Sequence, residues 1–400
     1  MYYVAETERL IADGVITDAQ ADEIKSRARG AMVALCVNTL LIVGILAASL
    51  GLVFFLVSAL SVAICGGLFL VGGLLILRYA VPLYRMFGTA GAMIGAGMLI
   101  SGTGIELVDK QPDIAGWPMM AIGVGIAAFC IWRFSAALPH LRFAYGAVLL
   151  MGAALHICGL YYAVSHTDVS GWPMPFVHFY VFAAIAVCGV FLDIRFVTAL
   201  AIFPFAQMLD TGTYYFTAAY VFYSPEPTFS ILQMSVLIGA CLWVANRWTG
   251  PVARQAGILM IMAFIIANLC FLVASIWGDM PGDSWFAPRS VDFDGDYAAY
   301  REARDAYRAT AFMISEQVFS VLWAVLLAAL VIWSAMTNRR GIFNTAMTFG
   351  GIHAYTQMFE SFYDEPLAYV IGGLAAIPLA FGLWRLNNAW FKPLDVAGGR

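Results

Sequence analysis

The sequence predicts an all-α fold, a polytopic membrane helix bundle of about 12 transmembrane helices with a short cytoplasmic N-terminal helical hairpin. Of the 400 residues, 62% are hydrophobic and only 12% are charged, whereas a soluble domain carries about 25% charged residues. Apolar segments of about 20 residues, the length that crosses a bilayer, recur along the chain. Lysine and arginine occur in every second gap between these segments, as expected of cytoplasmic loops.

The distribution of the basic residues orients the bundle. If the N-terminus is inside, 16 of the 21 lysine and arginine residues lie in inner segments. The positive-inside rule then predicts that both termini are cytoplasmic. No basic face is dense enough to bind nucleic acid, so the lipid bilayer is the expected partner. The five basic residues of the outer loops are Lys110, Arg289, Arg301, Arg304 and Arg308.

Residues 1–30 are polar and charged and precede the first apolar segment. Tyr2–Asp13 has an amphipathic pattern, and Thr17 with Gln20 forms a capping-box pattern at the start of a second helix. This hairpin is too short to bury a core of its own. We therefore expect residues 1–29 to pack on a protein partner, on a second copy or on the membrane surface.

The transmembrane domain is predicted over residues 31–390, and a cytoplasmic tail over 391–400. The apolar run from Ala31 to Tyr79 is too long for one crossing, so a turn near Ser58 is expected to divide it. The twelve predicted spans are 31–54, 59–79, 86–108, 117–134, 143–164, 173–191, 196–216, 229–245, 256–277, 310–334, 342–362 and 367–386.

One internal repeat is visible in the sequence. The stretch Asp113–Met119 (DIAGWPM) recurs 55 residues later as Asp168–Met174 (DVSGWPM). Several glycines align at the same spacing. We interpret 86–134 and 143–191 as duplicated helix pairs in the same orientation, in which each motif forms an outer turn with proline in the first helical turn.

Ionisable side chains at membrane depth are the first candidate functional residues. They are costly to bury in lipid, and they commonly mark ion or substrate pathways. The predicted spans contain four carboxylates and three histidines, namely Glu106, Asp210, Glu316, Glu360, His156, His178 and His353.

Polar residues also form stripes on two predicted spans. Their spacings of three, four and seven residues place them on one helix face, which should meet protein or water and not lipid. With Glu316, we expect them to line an acidic cavity open to the outside. Carboxylates without a basic partner would hold a cation there, or stay protonated. The stripes are Gln207, Asp210 and Tyr214 on span seven, and His353, Gln357 and Glu360 on span eleven.

Structural explanations compete with these functional ones. Glu106 and Glu316 lie close enough to a membrane surface to reach water. Each lone histidine is commonly a hydrogen-bond donor between helices.

The long outer loop, 278–309, carries two further patterns. Asp292–Asp296 (DFDGD) is similar to the start of a calcium loop, but the EF-hand positions for glycine and glutamate hold Tyr297 and Ala303. A calcium contact of another kind remains an alternative. Residues 297–308 predict a helix with local pairs between arginines and acids.

Motifs for catalysis are absent from the sequence, which contains no nucleophile elbow, Walker loop, dinucleotide fingerprint or HExxH pattern. All seven cysteines fall within apolar spans. This predicts buried apolar side chains, and neither a disulfide framework nor a zinc site. The sequence therefore predicts no cofactor and favours a protein that is not an enzyme.

Two stretches resemble a family of predicted bacterial membrane proteins catalogued as domain of unknown function 2157. They are Leu10–Gln20 (LIADGVITDAQ), and Tyr355–Glu360 (YTQMFE) with the later Gly372, Gly373 and Arg385. The resemblance implies a multi-pass protein of the bacterial inner membrane. The family has no agreed activity, so the resemblance assigns no catalytic residue.

The sequence favours a transporter or channel that binds a cation or a proton in an acidic cavity on the periplasmic side. One alternative is a non-enzymatic envelope assembly or sensing protein that acts through the N-terminal hairpin. Another is an envelope polymer ligase or transferase with a lipid-linked substrate, whose phosphates Arg289, Arg301, Arg304 and Arg308 would hold.

Overall fold

The computed structural model describes residues 7–390, with gaps at 57, 138, 168–172, 210–213, 217–220, 295, 338 and 363. In this described part the chain is almost entirely helical, and nine helices are long and apolar enough to cross a membrane. The all-α class and the multi-pass character are therefore confirmed. The chain divides into two units, Met1–Ser170 and Gly171–Arg400.

The first unit begins with a short helix and one very long helix. The predicted capping box is present, because Gln20 N donates to the Thr17 hydroxyl and Thr17 N donates to the Gln20 side chain. The helix then continues through residues rich in helix formers, without a proline, to Phe55. The second hairpin helix and the first predicted span are thus one helix. The helices are α1 (Thr7–Ala12), α2 (Asp18–Phe55), α3 (Ala59–Tyr79), α4 (Arg85–Lys110), α5 (Gly116–Ala136) and α6 (Pro139–Ser165).

Glycines allow α3 to pack closely on α4, and α5 on α6. A Cβ atom on Gly66 would lie 2.5 Å from the backbone nitrogen of Leu99, and one on Gly123 would lie 2.5 Å from that of His156. Side chains are excluded at both crossings, so the two backbones touch. Without a hydrophobic force between helices in lipid, this close packing supplies much of the attraction.

The two helix pairs are structural repeats, related by 57 residues. Each glycine contact between α3 and α4 has a counterpart between α5 and α6. The glycines aligned at 55 residues differ in their contacts, since Gly97 faces Met151 of α6 whereas Gly152 faces α5. The sequence carries the 57-residue signal in VPLYR (81–85) and LPHLR (138–142). Matched positions are Ala59/Gly116, Gly66/Gly123, Gly95/Gly152, Leu99/His156 and Gly102/Gly159.

The second unit contains the remaining helices and a small antiparallel hairpin, in which Tyr214 pairs with Tyr223 and Phe216 with Val221. Its elements are α7 (Met174–Leu192), α8 (Arg195–Leu200), α9 (Ile202–Gln207), β1 (Tyr214–Phe216), β2 (Val221–Tyr223), α10 (Pro227–Arg247), α11 (Pro251–Trp277), α12 (Asp283–Phe286), α13 (Tyr297–Thr310), α14 (Glu316–Met336), α15 (Arg340–Phe362) and α16 (Pro366–Trp390).

The predicted continuous helix over 196–216 is wrong. The segment is broken at Ala201 and ends at Gln207, and Tyr214 belongs to a strand. Pro204 explains the break, because it has no N–H to donate to the carbonyl of residue 200 and its ring clashes with that carbonyl. The two short helices pack on α10 and α11 through buried Ile202, Phe205 and Met234.

The helix α11 is the centre of the second unit. One of its faces packs on α9 and α10, and its outer half packs on α14 and α15. In the second contact the fully buried Trp323 donates its indole N–H to Asn268 at 2.8 Å. This arrangement holds the end of α11, at Trp277, against the start of α10.

Replacing Gly66 by alanine should destabilise the first unit by about 1–3 kcal/mol, because the added methyl forces α3 and α4 apart. Its neighbour Gly67 is a matched control, since a Cβ there has no atom within 4 Å. Gly67→Ala should stabilise the helix by about 0.5–1 kcal/mol. Thermal unfolding in detergent measures both, and equal midpoints would contradict the packing account.

Candidate functional site

Three carboxylates gather where α10 begins and α11 ends. Asp279 and Asp283 line a cleft of about 360 Å³, together with Arg308. Glu226 lies between two lining prolines and is fully buried. We refer to Glu226, Asp279 and Asp283 with this opening as the acid cleft.

Glu226 holds the loop that follows α11. It precedes α10, which starts with proline at its first position. Its two carboxylate oxygens accept hydrogen bonds from the backbone N–H groups of Gly282, at 2.9 Å, and Ser284, at 2.6 Å. Burial raises the pKa of Glu226, although these two bonds oppose the rise, and the charge of Asp279 raises it further.

Asp279 caps α10 from another part of the chain. It follows Gly278, whose φ of +68° favours glycine, and its backbone pairs with that of Ile314. Its carboxylate accepts the N–H of Thr228 at 2.9 Å, one of the donors that a helix start leaves without a partner. Burial raises the pKa of Asp279, against hydrogen bonds from Thr228 and Met280.

Asp283 has one engaged and one open oxygen. Its first oxygen pairs with Arg304 at 3.1 Å, and Arg304 also donates to the hydroxyl of Tyr300 at 2.9 Å. Its second oxygen is buried without a hydrogen-bond partner among the described residues. Nearby, removal from water raises the pKa of the Tyr307 hydroxyl, and the charges of Asp283 and Glu226 raise it further.

The cleft can accept a proton or a single hydrogen-bond donor. Glu226 and the capping oxygen of Asp279 are occupied by backbone N–H groups, which leaves the second oxygen of Asp283 as an open acceptor. Within the described ranges, no group of three histidine, cysteine or acidic side chains could hold a metal ion. The arrangement therefore favours a proton or an ammonium group over a bare metal ion.

The broken segment α8–α9 lies in the same unit. Gln233 of α10 donates its side-chain amide to the carbonyl of Phe205, near the end of α9. The amide oxygen of Gln233 is buried and has no hydrogen-bond partner in the described part of the chain. Helices that break within the membrane, with freed backbone groups bonded by neighbours, are typical of transporter binding regions.

The other end of this segment is tied to α11. Asp193 ends α7 with a φ of +54° and accepts hydrogen bonds from Arg254 and, at 2.8 Å, from Gln255. The bond from Arg254 holds the pKa of the Asp193 carboxyl below its ordinary value, with help from Gln255. The start of α8 is therefore held against the start of α11.

Two predicted site residues of the first unit have structural contacts. Glu106 accepts the N–H of Leu60 at 3.1 Å and so caps the start of α3. His156 lies 3.1 Å, through its Nδ1 atom, from the carbonyl oxygen of Met120 on α5. Both contacts agree with the structural explanations that the sequence left open.

The predicted polar stripe on α15 is partly buried. His353 and Gln357 lie one turn apart, and the His353 ring packs edge-on against Trp323 with centroids 4.8 Å apart. His353 Nδ1 and Gln357 Nε2 are buried without hydrogen-bond partners among the described residues. Glu360 is exposed further along α15. Convergence of this stripe with the other predicted acids stays a prediction.

The remaining predicted residues are dispersed over the second unit. Glu316 does not lie inside a span from 310 as predicted. It is the first residue of α14 and accepts a hydrogen bond from Gln317 at 2.7 Å. His178 lies in α7 and Gln207 ends α9. Tyr214 is in β1, so it shares no helix face with Gln207, and Asp210 lies outside the described residues.

Sequence reasoning did not single out the acid cleft. It placed Glu226, Asp279 and Asp283 among the ordinary acids of the outer loops. One signal was available, since Glu226 stands between Pro225 and Pro227 directly before a predicted span. The predicted helix at 297–308 is confirmed as α13.

The acids of the calcium-like stretch have local partners. The carboxylate of Asp296 accepts the N–H groups of Ala298 and Ala299, which start α13. Asp292 accepts the N–H of Arg289 at 3.3 Å. These contacts make Asp292 and Asp296 loop and helix caps.

No protein-family model, curated protein or solved structure matches this chain. The resemblance at Leu10–Gln20 and Tyr355–Glu360 thus remains a prediction.

The raised pKa values of Glu226 and Asp279 predict a pH-dependent stability. The folded chain holds these protons more tightly than the unfolded chain, where the values are about 4. Their stabilising contribution is fully present below that pH and is lost as the pH rises through the folded-state values. Above pH 4, the melting temperature of the wild type should fall more steeply than that of a Glu226→Gln, Asp279→Asn variant.

A matched control for this comparison is Glu302→Gln with Asp305→Asn, two exposed acids of α13. Its melting temperature should follow the wild type across the same pH range. Parallel pH profiles for all three proteins would show that the acid cleft does not bind protons more tightly when folded.

Proposed function

We propose that this chain is a multi-pass transport protein whose outer opening is the acid cleft, and that it moves a proton or a small ammonium-type cation. In this proposal α15, α16 and the broken segment α8–α9 add three crossings to the nine membrane-length helices. Twelve crossings with both termini in the cytoplasm of a bacterial cell agree with the distribution of arginine and lysine.

The observation that carries the proposal is the burial of Glu226 and Asp279 beside an open oxygen of Asp283. Buried carboxylates with raised pKa values exchange protons near neutral pH, as proton relays require. A solute bound at Asp283 would change the charge around its neighbours. Binding and proton release are thereby coupled through Coulomb repulsion between carboxylates.

The broken segment α8–α9 supports the proposal independently. A continuous helix offers no free backbone group to a solute, whereas a break near a buried, incompletely bonded amide such as Gln233 does. Its two ends are held by contacts of different kinds, the Asp193–Arg254 pair at one end and the Gln233 amide at the other. A break held in this way can change its backbone conformation locally.

The lipid-linked polymer alternative gains no support from the outer loop. Arg304 is paired with Asp283, Arg289 donates to the carbonyl of Ser284, and Arg301 lies over the ring of Tyr297. Of the four arginines, Arg308 lines the cleft. A phosphate clamp would require several arginines to point at one place.

Flux through purified protein in liposomes tests the proposal. We expect radiolabelled methylammonium uptake under an imposed pH gradient, with a pH-sensitive dye inside to follow proton movement. Asp283→Asn should lower uptake about tenfold or more, because a charge-assisted hydrogen bond is lost. The matched control Asp305→Asn should leave uptake unchanged.

Two results would contradict the proposal. Wild-type liposomes that take up neither methylammonium nor protons faster than empty ones would remove the transport function. Equal uptake by wild type and Asp283→Asn would show that any transport bypasses the acid cleft.

A further inference from the structure

The first unit contains an apolar pocket that the proposed transport function does not use. It has a volume of about 480 Å³ and lies between α3, α4, α5 and α6. Its lining contains no charged or amide side chain, and Tyr145 supplies its one hydroxyl group. A pocket of this size suits a ligand of ordinary small-molecule volume, and an apolar lining favours a hydrocarbon group.

Four arginines stand at the same end of these helices. α3 and α5 carry Arg78 and Arg133 in their last turns, and α4 and α6 carry Arg85 and Arg142 in their first turns. All four are exposed. Among the described residues, none forms an ion pair with a carboxylate. Their positive charge is therefore available to an anion.

The pocket and the arginines lie close together along the helices. Leu74 and Phe129 line the pocket four residues before Arg78 and Arg133, which is one helical turn or about 6 Å of rise. Leu141 and Tyr145 line it on either side of Arg142. The apolar volume thus begins about one turn below a ring of positive charge.

We infer that this end of the first unit binds an anionic phospholipid, with an acyl chain in the pocket and the phosphate headgroup among Arg78, Arg85, Arg133 and Arg142. Charge complementarity selects the headgroup, since arginines at a membrane surface attract anionic lipids. The helices cross a bilayer, so lipid is the apolar molecule that reaches the pocket. The positive-inside rule places the site in the inner leaflet.

The 57-residue repeat explains how one lipid meets arginines from both helix pairs. Arg85 and Arg142 are equivalent positions of the two pairs, each three residues after a proline. The pocket lies between the pairs, so each copy supplies one wall and half of the positive charge. The lipid would therefore join the two repeats.

Native mass spectrometry of the full chain, exchanged into a mixture of phosphatidylglycerol and phosphatidylcholine, tests the inference. Wild type should retain phosphatidylglycerol in preference. Arg85→Gln with Arg142→Gln should weaken phosphatidylglycerol binding about 10- to 30-fold, and lysine at both positions should restore most of it. The charge-matched control is Arg247→Gln with Arg339→Gln in the second unit, which should bind as wild type.

A second variant tests the pocket. Gly125 lines it, and a Cβ there has no atom within 4 Å, so Gly125→Leu fills the pocket without disturbing the fold. It should weaken retention of both lipids, whereas Gly67→Leu, also in open space but outside the pocket, should not. Equal retention of the two lipids by wild type, or no difference between either variant and its control, would overturn the inference.

Discussion

Backbone groups within a bilayer must find hydrogen-bond partners inside the protein, and this constraint explains the main polar contacts of the chain. Helix starts and ends are bonded by side chains from other helices. Asn38 of α2 donates to the carbonyl of Leu83, and Glu106 accepts the N–H of Leu60. In the second unit Gln233 and Asp279 do the same for α9 and α10. Function can arise where such a partner is itself ionisable.

The two units meet this constraint differently. In the first unit the helices are mostly continuous, and glycines such as Gly66 and Gly123 bring backbones into contact. Little polarity remains there, and the internal volume is a hydrocarbon pocket. In the second unit Pro204 breaks a crossing, and carboxylates are drawn inside as caps. Burial then raises the pKa of Glu226 and of Asp279, so groups needed for folding also become proton acceptors.

The sequence predicted the features that depend on local composition. The helical class, most helix positions, the Thr17–Gln20 capping box and the helix α13 follow from hydropathy and propensity. It failed where distant residues decide the outcome. Hydropathy alone carried the predicted seventh span past Pro204, and the acid cleft depends on Glu226 meeting a loop more than 50 residues away. The 57-residue repeat was readable but weaker than the conspicuous GWPM motif at 55.

The central claim is that the buried carboxylates of the acid cleft hold protons above their ordinary pKa. Infrared spectroscopy of the reconstituted protein measures this directly, because a protonated carboxyl group has its own C=O stretching band. The account predicts a band that persists above pH of about 4.3, the ordinary value for glutamate, and that weakens in Glu226→Gln and Asp279→Asn. A band that vanishes at the ordinary pKa, or that is unchanged in both variants, would contradict it.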